Sequence, residues 1–401
     1  MKYSLFSGKI NTVRRIPAFL MLLKNVPHQN LGDVEYMNEY NDFEFKSTQQ
    51  NGEPDYYAMY VNEKTSEARR VFSRYHLSLF LFTVISYAVI IAAEIFLALF
   101  LGEDGFNRLL NNAYAPLIFN VVSMYLIAFP IFVLLIKNMK IEKREKKKMS
   151  AGEFLSLLLI GEALMFIGNV IGQFLNSIIG IFIGNDVTNS IDELINNSPI
   201  WLVFLVTVII APIIEELMFR KFMIDRLSRY GDLLAVIISS IGFGLFHGNF
   251  YQFFYAAMLG FILGYIYTKT RNVKYSILMH MIINFMGSVA VLPLIDILDE
   301  FYEMSAIFEE GGQIDYAAFI KNTFAIASYS IIQYSIYIAG AAILIIYLKK
   351  RLFKFEKKCE YSLPKERRLG IVILNVGVIL FLISSIAIFG LNILSEVLVK
   401  P

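Results

Sequence analysis

Between Leu77 and Ile393 the sequence runs through a series of apolar stretches, most of them about 20 residues long. A stretch of that length spans a bilayer as an α-helix, because in hydrocarbon every backbone N–H and C=O must be satisfied within the segment. The fold class is therefore all-α: a polytopic transmembrane helical bundle of about eight or nine spans. They fall near 77–101, 115–136, 154–183, 200–229, 233–246, 250–267, 275–295, 324–348 and 369–393. Composition agrees. Charged residues make up 17% of the 401 and hydrophobic ones 57%, where a soluble domain is about 25% charged.

The charges are segregated, so the net charge of +2 says little. The segments 137–148, 225–229, 269–274 and 349–368 are basic, and the positive-inside rule places them in the cytoplasm. The acidic segments alternate with them. Residues 185–198 carry Asp186, Asp192 and Glu193, and 296–321 carry Asp296, Asp299, Glu300, Glu303, Glu309, Glu310 and Asp315. Both are expected outside the cell, which makes the N-terminus cytoplasmic. The chain then divides into a cytoplasmic N-terminal region (1–75), N-terminal transmembrane helices (76–197), a catalytic transmembrane core (198–295), an acidic extracytoplasmic loop (296–321) and C-terminal transmembrane helices (322–401). Residues 1–75 are polar and mixed in charge and read as a soluble, partly disordered head. No internal repeat and no cleaved signal peptide are read from the sequence, and the C-terminal Leu-Val-Lys-Pro is not a prenylation signal.

The single cysteine, Cys359, excludes an internal disulfide framework and a cysteine-rich metal site. The histidines are His28, His76, His247 and His280, and none lies in an H-E-x-x-H pattern. Chemistry concentrates in the fourth apolar stretch, at Ala211-Pro-Ile-Ile-Glu-Glu-Leu-Met-Phe-Arg220. An ionised side chain within hydrocarbon is costly unless paired or hydrated, so it marks a functional site by default. Glu216 and Arg220 are four apart and share a helix face, so they can pair. Glu215 points about 100° away and is left free. Two further i,i+4 pairs lie within spans, Phe243/His247 and His280/Asn284. A rise of about 1.5 Å per residue puts Glu215 roughly 15–20 Å above the basic belt, His247 roughly 20 Å, and His280 and Asn284 roughly 9–15 Å. All can meet in one cavity, and Pro212 supplies a local helix break that would open it. A free carboxylate beside a histidine activates water as a general base, and a second histidine with an asparagine amide stabilises an oxyanion. The chemistry fits peptide hydrolysis.

Glu215-Glu216-x-x-x-Arg220, Phe243-x-x-x-His247 and His280-x-x-x-Asn284, in that order, resemble the three motifs of the type II CaaX prenyl endopeptidase and bacteriocin-processing proteins (the CPBP, or Abi, family). The resemblance covers roughly 198–295. It implies an integral-membrane glutamic endopeptidase, acting on membrane-associated CaaX-like or bacteriocin-like peptides or proteins, in a bacterial cell membrane. It implies that Glu215 activates water with His247, that His280 and Asn284 stabilise the oxyanion, and that Glu216, Arg220 and Phe243 support them. The family has also been labelled metalloprotease, and Glu215, His247 and His280 are chemically able to hold Zn²⁺. The reading favoured here has no cofactor and no metal, since carboxylate and imidazole suffice to activate water. The partners are that substrate and the lipid bilayer, with no nucleic acid.

The plainer readings are structural. Glu94 and Glu162 have no motif partner and fit packing, Phe243 fits packing better than chemistry, and the basic runs fit headgroup contact. A non-proteolytic or proteolytic role in bacteriocin self-immunity, or a membrane scaffold, is the alternative function. A transporter would favour repeated broken helices, and only Pro212 suggests one.

Overall fold

The computed structural model describes residues 56–184, 187, 198–356 and 361–399. Most of the N-terminal head with His28, the acidic residues Asp186, Asp192 and Glu193, and Cys359 lie outside the described residues. Eleven helices are used below: α1 Tyr56–Leu110, α2 Ala115–Ile136, α3 Ala151–Ile183, α4 Ile200–Tyr230, α5 Asp232–Phe246, α6 Phe250–Thr270, α7 Val273–Asn284, α8 Leu292–Glu309, α9 Tyr316–Lys349, α10 Arg368–Val372 and α11 Val376–Val399. Among the described residues eight helical stretches are long and apolar enough to cross a membrane, and α5 is a shorter apolar helix. The expected all-α membrane bundle is thus the observed one.

Several boundaries differ from those read in the sequence: the helix expected from 324 opens at Tyr316, the span expected at 369–393 breaks between Val372 and Val376, and two further differences bear on the fold. Helix α1 begins at Tyr56, not near Leu77, and Ala68, Phe72 and Tyr75 are fully buried. Polar residues between those apolar positions hide the pattern from a hydropathy reading. The helix holds to Gly102, where φ is +70° and the helical path breaks. The second difference is α8. Residues expected in an acidic loop form a helix after Pro293, because Leu294, Ile295, Leu298 and Phe301 recur at helical spacing between the carboxylates. Phe301 stacks on Phe319 of α9 at 5.0 Å, and Asn322 donates to Glu300 at 2.9 Å.

The order of packing is α9 on α3, α3 on α6, α6 on α5, and α5 on α4, with α7 also against α4 and α11 against α1. Small residues let the backbones meet, as in other membrane bundles. A Cβ at Gly168 would lie 2.6 Å from the Cα of Tyr255, and one at Gly172 would lie 2.6 Å from the carbonyl oxygen of Phe250. At Gly340 of α9 it would lie 2.0 Å from the carbonyl oxygen of Leu159. Gly340→Ala should therefore force α9 off α3 and cost about 1–3 kcal/mol. Heat denaturation in detergent checks it against Gly390→Ala, where a Cβ meets open space. Equal melting of the two variants would mean that α9 and α3 do not approach this closely.

The basic segments gather at one end of the bundle. Asp232 accepts from Arg144 and from Arg271, each at 2.7 Å, and is 2% exposed. Arg144 also reaches Glu356 at 3.2 Å. The Lys147 ammonium, 2.9 Å from Glu356, holds that carboxyl below its usual range. Lys269 pairs with Glu153, and the backbone of Glu142 donates to Asp225 at 2.7 Å. These contacts tie the segments around 142, 225–232, 269–271 and 356 into one layer. Helices α5 and α6 form a hairpin that leaves this layer and returns to it. Since α5 has 15 residues, the hairpin tip sits about 22 Å away.

Candidate active site

Glu215, Glu216 and Arg220 lie near the middle of α4. Two π-helical segments, Phe204–Ile210 and Leu217–Ile224, flank the turn Ala211–Glu216. Pro212 does not open a gap there. It sits where the π segment Phe204–Ile210 passes into Ala211–Glu216, and α4 stays helical throughout. Such π segments recur at functional sites, because each shifts the following side chains around the helix axis.

The expected pair is present. The Arg220 Nε lies 3.2 Å from Glu216 Oε2, and both side chains are 0% exposed. The approach is off the N–H direction, so the two atoms form no hydrogen bond. The attraction is therefore Coulombic more than directional. The guanidinium carbon sits 4.3 Å over the Phe243 ring. Phe243 is 1% exposed and stands edge-on to Phe219, His247 and His280 at 5.4, 4.8 and 5.6 Å between centroids. It is a cation–π seat for Arg220 and a wall between the two histidines.

His280 of α7 bridges the two carboxylates. Its Nδ1 is 3.2 Å from Glu216 Oε1, and its Nε2 is 3.7 Å from Glu215 Oε2. The first contact is a hydrogen bond with Nδ1–H as donor. The second is longer than one. The sequence reading grouped His280 with Asn284 and left Glu216 to Arg220 alone. The Glu216–His280 bond joins two helices, and the spacing within each carries no signal of it. Nearby on α7, Ser276 is fully buried and its Oγ donates to the Val273 carbonyl at 3.0 Å.

His247 is the last residue of the α5 turn, half-buried, with Nδ1 2.8 Å from the Phe243 carbonyl oxygen. That bond places the proton on Nδ1 and leaves Nε2 as an acceptor. The chain then reverses at Gly248, where φ is +70°, and Asn249 caps α6 by accepting from the Gln252 N–H at 2.9 Å. Asn284 does not bond His280. Its Nδ2 donates to the Thr207 carbonyl of α4 at 2.8 Å. Glu94 and Glu162 share no hydrogen bond or ion pair with Glu215, His247 or His280. Tyr125 of α2 lies within electrostatic range of Glu215, a neighbour that no motif announces.

Among the described residues no three of His, Cys, Asp and Glu converge on a point that could hold a metal ion. Glu216 is held by Arg220 and His280, while the Nδ1 hydrogen bond of each histidine leaves its Nε2 open.

A membrane bundle with a carboxylate, a second ion-paired carboxylate and two histidines buried between its helices is the class these data define. Residues 197–286, the segment that holds every one of these groups, match the family described as type II CAAX prenyl endopeptidase Rce1-like. The matched segment is the one that carries the three motifs. The chain is 27% identical over 121 residues to a Bacillus subtilis (strain 168) protein named "Putative membrane peptidase YdiL", covering 30% of this chain and 49% of that one. It is 31% identical over 97 residues to "UPF0177 protein YxdF" of Lactococcus lactis subsp. lactis (strain IL1403), covering 24% of this chain and 51% of that one. The chain thus spans about half the length of these curated relatives. No solved structure matches it.

Proposed function

We propose that this protein is an intramembrane endopeptidase of the glutamic type, hydrolysing peptide bonds of membrane-anchored substrates. The observation that supports this reading best is the position of His280, 3.2 Å from one carboxylate and 3.7 Å from the other. Glu216, already paired with Arg220, takes the Nδ1 proton. Only the Nε2 side of the ring then faces Glu215, so an Nε2–H can donate there while the Nδ1–H stays on Glu216.

The step balances. A water held by Glu215 and the free Nε2 of His247 gives its proton to the Glu215 carboxylate as its oxygen bonds to the scissile carbonyl carbon. The carbonyl electrons move onto oxygen, where the imidazolium form of His280, its Nδ1–H kept on Glu216 and its Nε2–H donating, and the second Asn284 amide hydrogen stabilise them; His280 keeps both protons through the step. Collapse reforms the carbonyl and breaks the C–N bond. The proton on Glu215 passes to the departing amine, and the carboxylate is restored.

The proposed orientation sets the layer containing Asp232 and Arg271 in the cytoplasm, because it collects the basic segments. Substrate would enter from that leaflet. Purified protein in liposomes, given membrane-anchored peptides with and without a prenyl group, should cleave at least one set, and should keep cleaving with a strong chelator present. No cleavage of either set would overturn the peptidase reading. Turnover lost to chelator and restored by stoichiometric zinc would overturn the metal-free mechanism. Lys274, exposed in the first turn of α7, reports sidedness. With Cys359 replaced by Ser, a Lys274→Cys protein should react with a membrane-impermeant thiol reagent only from the cytoplasmic side. Labelling from outside would invert the topology and the access route.

A further inference from the structure

Asn284 is held by a carbonyl that has lost its helical partner, and the cause is a proline. At the end of the π segment Phe204–Ile210 the Ala211 N–H donates to the Val206 carbonyl, five residues back. The next bond in that series would join the N–H of residue 212 to the carbonyl of Thr207. Residue 212 is proline and has no N–H. The Thr207 carbonyl is thus left without a backbone donor inside a membrane bundle, where an unsatisfied polar group is costly. It is filled by Asn284 Nδ2, from α7, at 2.8 Å.

We propose that Pro212 and Thr207 form a positioning clamp for Asn284. The π register sets which carbonyl is orphaned, the proline orphans it, and the orphan selects one amide hydrogen of Asn284. The other amide hydrogen and Oδ1 are then fixed in direction. The second half of the clamp is on α7. Ser288 Oγ donates to the carbonyl of Asn284 at 2.6 Å and lies 3.3 Å from Thr207 Oγ1, which itself donates to Val203 at 2.8 Å. Asn284 opens a π segment too, Phe285–Val289, which faces the one in α4. Two irregular helix segments are thus joined by the hydrogen bond from Asn284 to Thr207, with the Ser288 and Thr207 hydroxyls in contact beside it, which gives Pro212 a role different from breaking the helix. Thr207 and Pro212 act through Asn284 and touch no substrate.

The catalytic half of this inference rests on the peptidase reading, and its structural half does not. The test therefore reads both. Pro212→Ala supplies an N–H at 212 that can satisfy Thr207 and release Asn284. In a thermal-stability cycle, Asn284→Ala should lower the melting temperature of the wild type by about 2–4 °C, because it orphans Thr207. In the Pro212→Ala background the same change should cost clearly less. Equal losses in both backgrounds would overturn the clamp. In the cleavage assay Pro212→Ala should lower kcat by about ten- to a hundredfold with KM little changed, and should add nothing once Asn284 is Ala. Additive losses in kcat would mean that proline acts elsewhere and would also overturn the clamp. Coupled melting with no cleavage by the wild type would uphold the clamp and sink the peptidase reading alone.

Discussion

Glu215→Gln should lower peptide cleavage by about 10²–10⁴-fold while the protein accumulates in membranes as the wild type does. Glutamine keeps the shape and one acceptor oxygen of the side chain, but it cannot take a proton from water. The fold should tolerate the change, because Glu215 makes no close ion pair. Its nearest charged partner is His280 at 3.7 Å. It also sits next to Glu216, so its removal relieves a like-charge repulsion between buried groups. Melting in detergent should be unchanged or slightly higher. Cleavage at the wild-type rate by this variant would sink the assignment of Glu215 as the base, whatever became of the histidines.

The largest loss of stability is expected from Arg220→Ala. Arg220 is wholly buried, 3.2 Å from Glu216 and seated over Phe243. Removing it leaves Glu216 with His280 as its remaining partner, and breaking a buried pair from one side costs about 3–5 kcal/mol. The lost contact with Phe243 adds to that. Lysine should rescue poorly, because a compact ammonium does not reproduce a planar guanidinium stacked on a ring. The double variant Glu216→Gln/Arg220→Ala should be more stable than Arg220→Ala alone, since no charge is then stranded. Membrane accumulation and detergent melting of the three proteins measure this. An Arg220→Ala protein as abundant and heat-stable as the wild type would show that the pair is not held as drawn.

These two expectations show how unevenly the site could be read from the sequence. The Glu216–Arg220 pair was legible because both residues lie on one helix, where a spacing of four guarantees a shared face. So was the freedom of Glu215, which follows from its position one residue earlier. The bond from His280 to Glu216 was not legible, because it joins α4 to α7. Asn284 was assigned beside His280 on the same grounds of spacing, yet its amide turns to Thr207. The reason lies in Pro212 and the π register before it, and the sequence displayed only the proline.

What the sequence determined by itself was the membrane bundle, the places of most helices, the gathering of basic segments at one end and the residues to which the proposed chemistry is assigned. Those follow from local rules: apolar length, the sign of loop charge, and helical period. What only the tertiary structure decided was the rotation of each helix against its neighbours, and with it the partners of His280 and Asn284. A π segment shifts the phase of the side chains that follow it; Arg220 lies in one, Leu217–Ile224, and still meets Glu216, whereas His280 and Asn284 lie on the regular turns of α7 and find their partners across on α4. The start of α1 and the helical α8 were decided the same way, since the packing of Phe72 and Tyr75 in the core and of Phe301 on Phe319 supplies what the charge pattern of those segments conceals.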